Sequence, residues 1–283
     1  MPLVSAAGPF GGTVSGDVRL AVALLLLLGA AAGALTANGV RVRRQVVTAS
    51  IRAAVQLAVL GAVLGLVFRF PAAAAVVLVV MLATATRTAA RRLRDFPGAT
   101  RAVLTASVAG ASTTLVVAFA TGAVDLSVRY VVALGGITLG GTMTACTLAG
   151  RQLLAGIRTR RDEVEGWLAL GATPRQAVRD IVRTAAGEAL LPAIDQTRTV
   201  GLVTLPGAFV GALFGGASPG SAARFQLIVL VGLLTAEAVA AVTLTYSLGA
   251  PQPLPLPSDD RAAGGDGTVR AASRPRRVLR RRT

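Results

Sequence analysis

The stretch Val18–Val40, "VRLAVALLLLLGAAAGALTANGV", decides the fold class. A helix needs about 20 predominantly apolar residues to cross the hydrocarbon core of a bilayer. This block supplies them with one charge, Arg19, near its start. Similar blocks recur along the 283 residues, which are 53% hydrophobic and 15% charged, with a mean hydropathy of +0.66. A soluble domain carries about 25% charged residues. The chain therefore reads as an all-α, polytopic helical membrane protein.

The first block is followed by Arg41, Arg43 and Arg44. Basic residues collect on the cytoplasmic side of a membrane, so residues 1–17 are expected outside. Six further spans are expected at 47–68, 71–86, 102–121, 130–150, 188–215 and 225–247. Threaded alternately, they put the arginines of 87–101, 151–183 and the C-terminal tail on the same side as Arg41. Arg19, Arg69, Arg129 and Arg224 fall on the other side. This predicts about seven transmembrane helices, N-terminus outside and C-terminus cytoplasmic, in the cell inner (plasma) membrane. Residues 18–248 form the membrane domain. Residues 249–283, rich in Pro, Gly and Arg, read as a disordered tail. Its arginines either meet anionic lipid heads or are simply solvated.

All 29 basic residues are arginine, because the sequence has no lysine. A P-loop needs lysine to reach the phosphates, so no ordinary ATP site is expected. There is no histidine, and Cys146 is the single cysteine, so a Cys/His metal cage and an internal disulfide are excluded. The net charge of +16 lies between apolar blocks and reads as membrane orientation, not nucleic-acid binding. Glycines four residues apart at Gly207, Gly211 and Gly215 suggest a face for close helix packing in lipid.

The longest loop on the basic side, 151–187, carries its own pattern. Leu153, Ile157, Val164, Trp167 and Leu168 make a rough apolar stripe at helical spacing. Gly171 offers a C-terminal stop. Thr173 can cap the next helix, with Pro174 at its first position and Gln176 completing a capping box. The loop predicts helix, sharp turn at "GATP", helix. Two readings stand: an elbow that docks into a partner's groove, or two helices lying in the membrane interface.

The segment "LLPAIDQTRTVGLVTLPG" (Leu190–Gly207) holds Asp195 and Arg198 within an apolar region. A lone charge near mid-bilayer costs about 2.5–3.5 kcal/mol on insertion scales. Residues i and i+3 share a helix face and can pair, and Thr199 adds a hydroxyl beside them. Pro192 and Pro206 free backbone carbonyls that lipid cannot satisfy. The segment is expected to face other helices or water, as part of a translocation pathway. Glu237, in the last span, is a candidate partner for Arg198 or Arg52, or an oxygen donor to a cation. Arg52 with Gln56 stands one turn apart on the second span, and snorkelling is an equal reading for Arg52. Carboxylates suit hard cations such as ferric iron, whereas the arginines would repel a bare cation and favour an anionic or chelated cargo.

"EGWLALGATPRQA" (Glu165–Ala177) resembles the coupling region of ABC transporter permeases. Joined to "DQTRTVGLVTLPG" (Asp195–Gly207) and "RAAVQL" (Arg52–Leu57), it resembles the FetB-like permeases, associated with iron export in bacteria and related to aluminium-tolerance permeases in plants. The resemblance covers about residues 18–248. It departs at "GGTM" (Gly140–Met143), where the family stretch reads like "GNAM" and Gly141 replaces an amide side chain. The plant relatives are linked to nucleotide sugar, so the family suggests a machine more firmly than a cargo.

The resemblance implies a permease subunit that is not itself an enzyme and probes its partner with Glu165, Trp167, Leu170, Gly171, Ala172, Thr173 and Pro174. The partner would be a cytosolic ABC ATPase that holds ATP and magnesium. A homodimer exporting iron or a related metal species is expected. Two other classes are open: a secondary transporter with Asp195 and Glu237 as proton carriers, and a membrane anchor whose elbow recruits a cytosolic protein.

Overall fold

The computed structural model describes residues 14–38, 43–67 and 70–250. The expectations for the N-terminal segment and the C-terminal tail lie outside the described residues. The chain forms two compact units, Met1–Pro71 and Ala72–Thr283. Described residues are helical almost throughout; the one β-type pairing among them is a lone bridge between Val200 and Thr204.

The first unit holds α1 (Val14–Ala37) and α2 (Arg43–Val67), which touch each other and leave most of their apolar side chains exposed. The second holds α3 (Pro71–Arg92), α4 (Ala99–Ala120), α5 (Val128–Thr159), α6 (Arg161–Ala169), α7 (Pro174–Ala177), α8 (Arg179–Thr199), α9 (Gly207–Phe214) and α10 (Pro219–Leu248). Six helices, α1 to α5 and α10, are long and apolar enough to cross a membrane. The chain is a multi-pass membrane protein.

Small residues build the core of the second unit. With lipid as apolar as leucine, helix association depends on close packing rather than on water expulsion. A Cβ on Gly110 of α4 would collide with the Ala236 carbonyl of α10, and one on Gly232 would lie 2.7 Å from Thr114. The pairs descend on α10 as they rise along α4 in reverse, so these two helices are antiparallel. A Cβ on Gly135 would lie 2.7 Å from Leu78, and one on Gly150 would lie 2.5 Å from Leu93. Hence α3 and α5 run in the same direction. At the far end of α5, a Cβ on Gly156 would lie 2.5 Å from Ile181, and one on Gly249 would lie 2.7 Å from Val182. The start of α8 therefore meets the ends of both α5 and α10, and α8 runs back along them.

Several buried hydroxyls are satisfied within their own helix. Thr138 donates to the Leu134 carbonyl at 2.8 Å and Thr245 to the Ala241 carbonyl at 2.9 Å, the usual i−4 return bond. Thr114 instead donates across to Gly232 of α10 at 2.8 Å, pinning α4 to α10 at their closest approach.

The expected span 188–215 is not one helix. It is divided between the second half of α8 and the short α9, with a turn from Val200 to Pro206. Gly201 has φ +79 and donates to the Thr204 carbonyl at 2.9 Å. A positive φ is cheap only for glycine, and Pro206 cannot donate to a continuing helix. The break follows from those two residues. α8 still returns the chain across the bundle, at about 1.5 Å per residue over 21 residues.

Candidate functional site

Most of the predicted residues fall in two regions: the elbow at one end of the bundle, and the polar groups along α8 and α10.

The elbow begins where α5 ends. Arg160 caps α5 and opens α6, and it forms a bidentate pair with Glu163 at 2.7 Å through both nitrogens. That pair holds the Glu163 carboxyl below the usual carboxylate range, with a smaller contribution from the Trp167 indole. Arg161 likewise grips Glu165 at 2.6 Å. α6 buries Val164 against the core, where Leu153, Ile157, Val178 and Ile181 are also buried. Trp167 and Leu170 stay 52% and 83% exposed. The sequence stripe thus splits: its first part anchors the elbow, and Trp167 points away.

The turn is set by backbone geometry. Gly171 has φ +89. It donates to the Leu168 carbonyl at 3.0 Å, and Ala172 donates to the Trp167 carbonyl at 3.0 Å. These two bonds are a Schellman closure, which a left-handed glycine permits. Two residues later Thr173 and Gln176 complete the capping box, with Pro174 at the first helical position. A helix stop and a helix start are therefore locked back to back. Beneath them lies a cleft of about 490 Å³ lined by Arg160, Glu163, Trp167, Gly171, Gln176 and Asp180 among others.

On α8, Ile181, Ala185, Ala189 and Ala193 are buried. The opposite face carries Thr184, Glu188, Leu191, Asp195 and Arg198, all exposed. Arg198 lies 4.0 Å from Asp195, with side chains 76% and 70% exposed, and Thr199 returns its hydroxyl to the Asp195 carbonyl. The pairing expected from sequence is present at the limit of contact. It lies on the face of α8 turned away from the core of the second unit.

Glu237 is buried on α10 and lies against α5, where a Cβ on Gly141 would sit 2.7 Å from its Oε1. Glycine at 141 is what leaves room for this carboxylate. Among the described residues Glu237 makes no ion pair, and Arg198 turns to Asp195 instead. Arg52 and Gln56 are exposed on α2, in the first unit. Gly207, Gly211 and Gly215 lie at α9, which buries none of its residues. A Cβ at Gly207 or Gly211 would meet open space. Close approaches among the described residues are instead at Gly110, Gly135, Gly141, Gly150, Gly156, Gly232 and Gly249. No group of three or more His, Cys, Asp or Glu side chains able to hold a metal occurs among the described residues.

Three contacts went unread in the sequence. Arg158, at the end of α5, pairs with Asp95 of the α3–α4 turn at 3.0 Å; Asp95 is the one acid in a basic loop, which was the available signal. Gln226 accepts from the Phe209 backbone N–H at 3.1 Å, tying α9 to α10. Arg175 donates to the Tyr246 hydroxyl at 2.7 Å, with its guanidinium 4.4 Å from the ring centroid. The last two join residues far apart in sequence, and no local pattern announces them.

The family model described as uncharacterised protein family UPF0014 matches residues 17–250. The chain belongs to this family. It is similar to the UPF0014 membrane protein slr1647 of Synechocystis, 33% identical over 80% of this chain and 89% of that protein. It is 37% identical to the UPF0014 membrane protein STAR2 of rice over 59% of this chain, and spans 58% of the rice protein's length. It is 32% identical to the probable iron export permease protein FetB of Escherichia coli, over 48% of this chain and 53% of that protein. No solved structure matches. The UPF0014 match takes in both units, the elbow and the full length of α8.

Proposed function

We propose that the chain is the membrane-spanning permease subunit of an ABC transporter that exports iron or a related metal species. ATP and magnesium sit on a separate cytosolic ATPase, and two permease copies work together. The observation that carries the reading is the elbow. A Schellman stop at Gly171 and a capping box at Thr173 hold the turn rigid, with Trp167 and Leu170 presented outward. A rigid projection with exposed apolar tips suits a groove on a partner. Glu165 is held by Arg161, so the outward face of α6 keeps one shape. The name of the E. coli relative, a probable iron export permease, supports the cargo class. Asp195, Arg198, Thr199 and Glu237 are the polar groups of the second unit that this reading assigns to the passage; Arg52 and Gln56 on α2 are those of the first. The test is co-purification with a P-loop ATPase and measurement of ATP hydrolysis stimulated by iron, other metals or nucleotide sugars. Transport in sealed vesicles with no ATPase present would sink the proposal.

The buried, unpaired Glu237 favours a second reading, a proton-coupled secondary transporter. It predicts transport that stops when a protonophore collapses the gradient, with or without an ATPase.

A further inference from the structure

Beside the elbow lies a second cavity, of about 370 Å³, between α7, the first turns of α8 and the end of α10. Its lining includes Arg175, Arg179, Arg183, Val182, Thr245 and Tyr246. The three arginines are four residues apart, so they follow one side of the chain as α7 passes into α8. Among the described residues, no carboxylate lines the cavity. Asp180 lies 3.8 Å from Arg183, with both side chains more than 60% exposed, and an exposed pair at that distance holds little. Asp180 lines the elbow cleft, which Gln176 and Arg179 also border. Arg175 is fixed by Tyr246 through its hydroxyl and its ring. Arg179 makes no ion pair among the described residues.

The location gives the charge a meaning. α10 is a 30-residue apolar helix that crosses the membrane and ends at Leu248, two residues beyond Tyr246. Tyrosine marks the headgroup level at helix ends. The arginines therefore surround a cavity at headgroup depth, with Val182 as its apolar floor. Basic pockets between membrane helices take phosphate-bearing headgroups, and guanidinium matches phosphate in a two-pronged geometry.

We propose that this cavity binds the phosphate of an anionic phospholipid, held by Arg179 and flanked by Arg175 and Arg183. The lipid fills the seam between the root of the elbow and the end of α10. The site stands apart from the transport reading and needs no ATPase.

The test uses the full chain, purified in detergent, with native mass spectrometry and thermal unfolding as readouts. Phosphatidylglycerol, phosphatidylcholine and inorganic phosphate are titrated separately. Phosphatidylglycerol is expected to stay bound and raise the unfolding temperature, and phosphatidylcholine is not. R179Q is expected to weaken phosphatidylglycerol about five-fold, since each arginine near an anionic surface contributes about 1 kcal/mol. R175Q/R179Q/R183Q should weaken it on the order of a hundred-fold. The basic C-terminal tail is identical in all variants, so its own attraction for lipid cancels. Equal phosphatidylglycerol binding by wild type and the triple variant overturns the proposal. A temperature rise with phosphate alone that matches phosphatidylglycerol overturns the lipid as the ligand. Arg179 is exposed, so R179Q should unfold like wild type in phosphatidylcholine.

Discussion

At the scale of single residues, absent side chains decide the packing. Gly110 and Gly141 lie where α10 comes closest to α4 and α5, and a Cβ at either meets a backbone carbonyl or the Glu237 carboxylate. Overpacking of such contacts costs about 1–3 kcal/mol. Gly110→Val is therefore expected to lower the unfolding temperature clearly, whereas Gly211→Ala, facing open space, should leave it unchanged. Equal behaviour of the two would contradict the helix register described above. Gly171 acts differently, since it faces open space but holds φ +89. A side chain in the left-handed region costs roughly 1–2 kcal/mol. Gly171→Leu should insert normally, distort the turn and lose the ATPase in a pull-down; retained binding would remove the turn from the docking surface. The Arg160–Glu163 pair has a pH signature. Glu163 is held below its ordinary range, so its contribution is present at neutral pH and fades as pH falls through that lowered value. The protection of the α6 amides, meaning exchange relative to the intrinsic rate at each pH, should fall on acidification, and in E163Q it should be low already at neutral pH.

At the scale of elements, the sequence was most legible where pattern is local. The apolar blocks announced the spans, because a bilayer imposes its thickness on every crossing helix. "GATPRQA" announced the turn, because a left-handed glycine and a capping box are chemistry within a few residues. Legibility failed for 188–215. There Gly201 and Pro206 set a break that apolar content hides. The glycine triple is a different case: Gly207 and Gly211 face open space within this chain, and four-residue spacing does not say which helix would meet them. The charges on α8 were half legible: Asp195 and Arg198 pair, yet they face outward, and only the packing of Ala185, Ala189 and Ala193 against the bundle reveals which side is which. Asp195→Asn is expected to insert and assemble as wild type while transport falls; undiminished transport would take Asp195 out of the passage.

At the scale of the whole molecule, α8 presents an exposed polar stripe along a helix that traverses the bundle. Lipid does not tolerate exposed charge at depth, so water or protein must cover it. In the paired assembly proposed here, the stripe belongs at the seam between copies. The single native cysteine makes this testable. In a Cys146→Ala background, Leu191→Cys should form a disulfide-linked dimer in oxidised membranes, whereas Val116→Cys, exposed on α4, should not. Cross-linking at Val116 and none at Leu191 would place the seam elsewhere.

α5 runs unbroken for 32 residues, about 48 Å at 1.5 Å per residue, and a bilayer core takes only about 30 Å of that. Its far end is clamped by Asp95 through Arg158 and passes directly into α6. Such a helix behaves as a single lever. Rocking the elbow by about 5° sweeps the opposite end through roughly 4 Å over that length, a stroke comparable to the width of a water molecule, obtained without unwinding a single turn.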